Sequence, residues 1–410
     1  MATVRPFHGT TFDPTRVPDL GTVTCPPYDV ISPADRDELY DRDPYNIVRI
    51  VSGREESGDD ETQNKYTRAC GFFRSWVWEG VLREDPHEAL YVYRQAFDDP
   101  QGHRRRVWGL LGTIGLDDEI LAHERTMPGP KADRLALMRA IPANLSPIYA
   151  LYREESGTVS SALSSLAHDA PVADFVDADG TRHTAWAAHD QAFHDKVASS
   201  LTDCALLIAD GHHRFETSKA YRDLRRTESG AGPWDSVLAL LVDVSTQPLL
   251  ILPYHRLVLR ITAGDPLGVL SERFDVQEIG KASREAVDRF AHDLWEAGQG
   301  SFGFLYGGSM YRLQPREAGA GVIPAGILAR DALAPLGVGE AQDDLVFSPD
   351  PEVLRSGVEA GTAVCGFLIP PVDVESVWGL ASSGATMPEK STYFFPKPRD
   401  GIVVRALEPC

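Results

Sequence analysis

Residues 206–224 read LLIADGHHRFETSKAYRDL. An apolar run ends in an acid, a glycine, two histidines and an arginine, and the pattern then turns helical. A helix that follows a strand begins with up to four backbone N–H groups lacking partners, and those groups and the helix dipole favour an anion. Gly211 lets backbone approach a ligand closely. Arg214 can hold two phosphate oxygens at once, and His212 and His213 add donors near neutral pH. Asp210 can orient a histidine, bind a sugar hydroxyl or help hold Mg²⁺. A nucleotide phosphate site is one reading of this corner. A plain Asp-Gly turn and helix cap with solvated histidines is another. A metal site is a third, although adjacent histidines point different ways on a helix and share one ion with difficulty.

Three further polar clusters interrupt apolar patterns. LAHERTMPGPKADR (121–134) places His123, Glu124, Arg125, Thr126 and Lys131 on a loop stiffened by Pro and Gly, and binding residues often sit on such loops. TMPEKSTYFFPKPRDG (386–401) sets Lys390, Ser391, Thr392 and Lys397 among aromatic residues. TCPPYDVIS (24–32) puts Tyr28 and Asp29 after two prolines. Each has a plainer structural reading: a solvated loop opening a helix, an edge strand with alternating faces, and a rigid turn with Asp29 as a cap. The chain has no GxxxxGK[ST] loop, no protein-kinase signature set and no GxSxG elbow.

The elements that must position these residues follow from periodicity and breakers. A helix is predicted from about 63 to 80, with Phe72, Phe73, Trp76 and Val77 on one face. Runs 89–97 and 107–116 form a hairpin pattern. Residues 131–141 are helical and 146–152 a strand. DCALLIAD (203–210) is a short buried strand, and the helix after it carries HRFETSKAYRDLRR. SVLALLVDV and PLLILPYHRLVL follow as two strands. Residues 265 to about 300 read as mostly helical, 302–313 as a hairpin around Gly307-Gly308, and 315–345 as a loose Gly/Ala/Pro-rich connection to a last α/β segment. Hairpins mixed with isolated helices indicate an α+β class.

The composition narrows the function classes. The chain has 410 residues, enough for two or three domains or one elaborate one. Its net charge of −20 opposes general binding to nucleic acid or an anionic membrane, which needs a basic face. The five cysteines, Cys25, Cys70, Cys204, Cys365 and Cys410, form no CxxC pair and read as reduced thiols. No run reaches the ~18 apolar residues of a membrane span, and MATVRPFHGT lacks an apolar signal region. A cytoplasmic protein is expected.

CPPYDVIS, DPYNIVR, HERTMPGPKADR, NLSPIYALY, IADGHHRFETSKAYRD, PYHRLV and MPEKSTYFFPKPRDGIVVR occur in this order between about residues 5 and 405. Together they resemble the bacterial and archaeal family catalogued as domain of unknown function 1015. That family looks related to the ParB/sulfiredoxin superfamily, whose members bind nucleotides at a strand-to-helix corner. The resemblance implies a ParB/sulfiredoxin-like core with additional mixed α/β segments. The superfamily includes free serine kinases, which use ADP or ATP and Mg²⁺, a glutamate base, a DGHHR-like phosphate site and a threonine near the C-terminus. The matching residues are Glu124, Asp210 to Arg214, and Thr392. Sulfiredoxin chemistry needs a cysteine where this chain has His212 and His213. ParB binds DNA, but this chain shows no convincing helix-turn-helix.

The combined expectation is a kinase that moves a phosphoryl group from ATP or ADP to the hydroxyl of a small metabolite, L-serine or a related amino acid. Glu124, Asp210 and His213 are the catalytic candidates. Gly211, His212, His213, Arg214, Thr126, Lys131, Lys390, Ser391 and Thr392 are the candidates for holding the nucleotide, and Asp210 and Asp29 for Mg²⁺. HERT and KST are expected to converge on DGHHR. The alternatives are a nucleotide-binding sensor without catalysis and a nucleotide hydrolase. The family resemblance spans one unit, divided into 1–230 with HERT and DGHHR, an accessory part at 231–345, and 346–410 returning KST. The oligomeric state is left open.

Overall fold

A computed structural model of the chain describes residues 2–124, 126, 128–298, 300–317, 323–339, 344–388 and 390–408. Arg125 and Cys410, named above, and Met127 and Glu389 of the quoted motifs lie outside the described residues. Helices and sheets are mixed, as the α+β reading expects. Two compact units emerge: residues 1–122, 126–249 and 396–410 form the first, and 123–125 with 250–395 the second. The expected break at 230/231 thus falls inside the first unit. The reason is that Ser236–Asp243 is a strand of its sheet, buried except for its first residue and paired on both sides. The tail from 396 also belongs to the first unit.

The first unit is built on an eight-stranded mixed sheet. Its order is Ile120–Leu121, Leu206–Asp210, Ile148–Tyr152, Ser236–Asp243, Arg104–Gly115, Leu90–Asp98, Arg182–Ala188 and Ala173–Val176. The expected hairpin is present as Leu90–Asp98 against Arg104–Gly115. Strands Ile148–Tyr152 and Leu206–Asp210 are buried throughout, which is why they read as continuous apolar runs rather than as alternation. One core cluster joins the sheet, through Val92, Leu110, Ile148 and Ile208, to helix residues such as Leu163, Val197 and Phe215. A second gathers Phe12, Ile47, Phe73 and Trp76 with Leu137, Leu145 and Val404. Helix Lys65–Trp78 begins at Asn64, whose side chain accepts from Tyr66 and Thr67.

The second unit carries a six-stranded antiparallel sheet in the order Phe274–Lys281, Ser309–Pro315, Phe302–Tyr306, Cys365–Leu368, His255–Val258, Leu345–Ser348. Gly307 and Gly308 both have positive φ, 61° and 82°, as a two-residue hairpin turn requires. Three sequence expectations are corrected here. PLLILPYHRLVL is two strands, Leu250–Leu252 and His255–Val258, because Pro253 has no N–H to give a ladder. The segment after 265 is helix Pro266–Ser271, strand Phe274–Lys281 and helix Arg284–Ala297. That strand lies at a sheet edge and is mostly solvent-facing, so it lacks the apolar alternation of a half-buried strand. Within 315–345, Pro324–Leu328 and Ala329–Leu333 are helical, with Leu328, Ala332 and Leu336 in the core. No helix among the described residues is long and apolar enough to cross a membrane.

Candidate functional site

The DGHHR corner lies in the first unit. Strand Leu206–Asp210 ends at Asp210, and helix His212–Ser229 begins two residues later. The pairing of this strand with Ile148–Tyr152 shifts register between Ile208 and Asp210. Such an irregularity re-aims the side chain at the strand end. Gly211 turns the chain with φ 92° and ψ 28°, in the left-handed region. A Cβ there would also come within 3.0 Å of the Arg214 guanidinium. Two constraints therefore select glycine: the backbone angle and the room for Arg214. Gly211 offers no side-chain cap to the helix.

Beneath this turn lies a set of buried charges. Asp210, His212 and Arg214 are buried, and Gly211 and His213 are half-buried. Arg214 Nη2 donates to Asp210 Oδ2 at 2.5 Å, one helical turn apart, and its Nη1 donates to the Pro147 carbonyl. Lys397 Nζ donates to the other oxygen of Asp210, Oδ1. One carboxylate thus binds two buried cations. Each Nη of Arg214 gives one of its two N–H groups to a protein acceptor, which holds the guanidinium in place near the helix N-terminus. Burial opposes its charge, but Asp210, Asp29 and Asp400 raise the Arg214 pKa above its ordinary value.

The tail that brings Lys397 is tied down along its length. Gln95 Nε2 donates to the Lys397 carbonyl at 3.0 Å. Asp400 and Cys25 exchange backbone hydrogen bonds of 2.9 and 3.3 Å. Four motifs distant in sequence therefore meet at this corner: CPPYD, NLSP, DGHHR and PKPRD. Asp400 is 1% exposed, and neither of its carboxyl oxygens has a well-aligned donor, although the Ser146 hydroxyl lies nearby. Burial pushes its pKa up to about 7, against the pull of Arg214. Tyr28 is likewise raised to about 12 by burial and by Asp29. The Arg134 guanidinium stands 4.0 Å from the centre of its ring. Tyr28, Arg134, Ser146, Arg214, Thr217 and Ser218 line the polar part of a cavity of about 50 Å³, with room for a few waters. Lys131 sits on helix Pro128–Ala140 and borders a surface groove with Glu216, Thr217 and Lys219, beyond the corner residues themselves. Thr126 is half-buried.

Glu124, Lys390, Ser391 and Thr392 belong to the second unit, where HE and KST meet each other. Glu124 forms a parallel bridge with Met387, whose N–H donates to the His123 carbonyl at 2.7 Å. His123 Nε2 is 3.2 Å from Thr392 Oγ1. Ser391 donates to the Pro388 carbonyl at 2.5 Å. Lys390 has φ 53°, an uncommon angle for a residue with a side chain. Its carbonyl accepts from Arg256 Nη2 at 2.9 Å, and its Nζ stands 5.4 Å above the Tyr254 ring. Arg256 is buried, which lowers its pKa to about 9, while Glu124 acts to raise it.

Sequence reasoning named Lys397 in the 386–401 cluster without giving it a role, and did not single out Asp400 or Arg256. Each lay inside a quoted motif, PKPRD or PYHR, but only the fold supplies the partners that make them notable.

The family described as "Protein of unknown function (DUF1015)" matches residues 4–336. Among solved structures, a free serine kinase in complex with AMP is 13% identical over 72% of this chain and 90% of that chain, at TM-score 0.40. A conserved hypothetical protein from Pyrococcus furiosus is 15% identical over 72% of this chain and 94% of that one, at TM-score 0.38. SbnI with a C-terminal truncation, from Staphylococcus aureus, is 10% identical over 71% and 85%, at TM-score 0.37. No curated protein matches the chain.

Proposed function

The chain belongs to the DUF1015 family, and we propose that it is a nucleotide-dependent kinase of a small hydroxyl compound, on a core of the ParB/sulfiredoxin type. The observation that carries this reading is the corner itself. A left-handed glycine delivers an uncapped helix N-terminus above two buried cations that share one carboxylate. Phosphoryl transfer asks a protein chiefly for positioning and charge neutralisation, and this corner offers both. Backbone around Gly211, with His212 and His213, would take the donor phosphates. Arg214 would contribute charge from below.

In the proposed step the bond from the terminal phosphorus to its bridging oxygen breaks and a bond to the acceptor oxygen forms. The hydroxyl proton goes to the Glu124 carboxylate, and the shortened nucleotide leaves. Thr126, Ser391 and Thr392 are assigned as neutral donors, and Lys131 and Lys390 as further positive charge. Asp210 does not fit as a Mg²⁺ ligand, because both its oxygens already bind cations. Exposed Asp29 fits better. Mg²⁺ commonly takes one or two carboxylates and completes its shell with water and substrate phosphates.

The test is calorimetry with ADP and with ATP, then a metabolite-pool screen for acceptor-dependent phosphate transfer, with L-serine and related amino acids first. Transfer to a hydroxyl supports the proposal. Binding without transfer identifies a nucleotide sensor, and phosphate release without an acceptor a hydrolase. Absence of binding to either nucleotide ends the phosphate reading of the corner.

A further inference from the structure

We propose that a cavity of the first unit, bounded by Tyr28, Arg36, Ser52, Lys65, Tyr66 and Arg134, binds the carboxylate of a small organic acid, with the Arg36 guanidinium as its anchor. The inference goes beyond the kinase reading and does not rest on it.

Arg36 lies on helix Pro33–Arg42, which starts from a capping box made by Ser32 and Asp35. Leu39 and Tyr40, three and four positions on, share its face, and both pack into the cluster of Phe12, Ile47 and Phe73. Arg36 is therefore directed inward, and it is half-buried. Its Nε is buried with no hydrogen-bond partner, and the side chain makes no ion pair among the described residues. The acids beside it in sequence are committed elsewhere. Asp35 accepts from the Ser32 N–H, Asp37 from Arg54 and Glu38 from Arg42. A buried guanidinium N–H without an acceptor is costly, and an acceptor brought by a ligand removes that cost.

The acid in the cavity wall is Asp133, and it is already engaged. Its Oδ1 accepts from Tyr66 and from Lys65 at 2.8 Å each, and its Oδ2 from Arg134 Nε at 2.8 Å. Burial opposes its charge, but Arg134, Lys65 and Tyr66 hold its pKa down to about 2. Glu55 pairs with Lys65 at 3.1 Å from the exposed rim. Three cations against these two acids leave one positive charge, which suits a monocarboxylate better than a phosphate dianion. A guanidinium presents Nε–H and Nη–H along one edge, the fork that matches two carboxylate oxygens, and the buried Nε lies on that edge. The Ser52 hydroxyl is a further donor in the wall. The cavity, about 110 Å³, has room for a carboxylate with a short carbon chain, whose carbons would meet Ile50, Val51 and Leu137.

The experiment is NMR of the parent chain labelled with ¹⁵N-arginine, in which the Arg36 Nε–H signal is the one missing from Arg36→Gln. Acetate, L-lactate, glycerate and L-serine are added to millimolar concentration. Methyl lactate and L-serinamide, whose carboxylate is blocked, and inorganic phosphate are the controls. The expected result is a saturable shift of the Arg36 signal with at least one of the acids and none with its blocked analogue. Calorimetry should show that acid binding Arg36→Gln roughly 10- to 100-fold more weakly, the worth of a hydrogen bond to a charged group. If Arg36→Gln fails to fold, Arg36→Lys, which keeps the charge and loses the fork, supplies the assignment and the comparison. A signal that none of the acids moves overturns the proposal, as does an equal shift with the blocked analogues. A shift with phosphate in place of the carboxylates overturns the ligand class. ADP calorimetry reads the corner separately, so either result stands without the other.

Discussion

Glu124 and Asp400 make different predictions at the scale of single residues. Glu124→Gln keeps the side chain's shape and removes its basicity. If Glu124 takes the hydroxyl proton, nucleotide affinity should hold while turnover falls on the order of 10²–10⁴-fold. A phosphoryl-transfer assay beside calorimetry reads both, and full turnover in the variant would dismiss Glu124 as base. Asp400 predicts a pH effect. Its folded pKa, about 7, lies above the ordinary 3.8, so folding takes up a proton between those values. Its stabilising contribution is complete below the unfolded pKa and is lost as pH rises through the folded one. Asp400→Asn, which stays uncharged, should match the parent near pH 3 and gain on it steadily. The gain should level off above pH 7 at no more than about 4 kcal/mol. Denaturant unfolding across that range checks it, and a pH-independent difference would show that Asp400 is not the titrating group.

The decisive element is the turn from strand Leu206–Asp210 into helix His212–Ser229. Gly211→Ala puts a Cβ into a left-handed angle, costing roughly 1–2 kcal/mol, and forces the Arg214 guanidinium to move from 3.0 Å. Both stability and ADP affinity should fall together, because the same displacement disturbs the pair and the helix N-terminus. Arg214→Ala should act mainly on folding. It leaves Asp210 with Lys397 alone and strips the Pro147 carbonyl of its donor, a loss of about 3–5 kcal/mol for a broken buried pair. Urea unfolding is the measurement. A variant as stable as the parent would mean that the buried pair contributes nothing to holding the corner.

At the scale of the whole molecule, the first unit depends on a tail that returns after 146 residues of the second, 250–395. Strand Arg405–Ala406 pairs with Ala143–Asn144, Val404 enters the core beside Phe12 and Ile47, and Arg405 donates to the Ser236 and Pro233 carbonyls. Truncation after residue 395 should therefore cost the first unit its cooperative unfolding, although most of its chain remains. A truncated chain with an unchanged denaturation midpoint would contradict this account. The net charge of −20 coexists with the positive corner because the basic groups there are local and buried.

What could be read from the sequence alone was local. The corner is written in consecutive residues: an apolar run, a glycine free to take positive φ, then a helical pattern, so strand, turn and helix were legible together. The hairpins at 90–115 and 302–315 were legible for the same reason, since alternation and turn residues lie side by side. Strand Phe274–Lys281 was not, because an exposed edge strand need not alternate and its identity comes from its partner. The break at Pro253 was legible in principle but was overridden by the apolar run around it. Tertiary structure alone decided which charges share the corner. Lys397 meets Asp210 across 187 positions, and Asp400 reaches Cys25 from the same tail. No spacing rule reaches that far. A buried charge acquires its pKa and its role from neighbours the fold supplies, whereas a glycine's freedom to turn is its own.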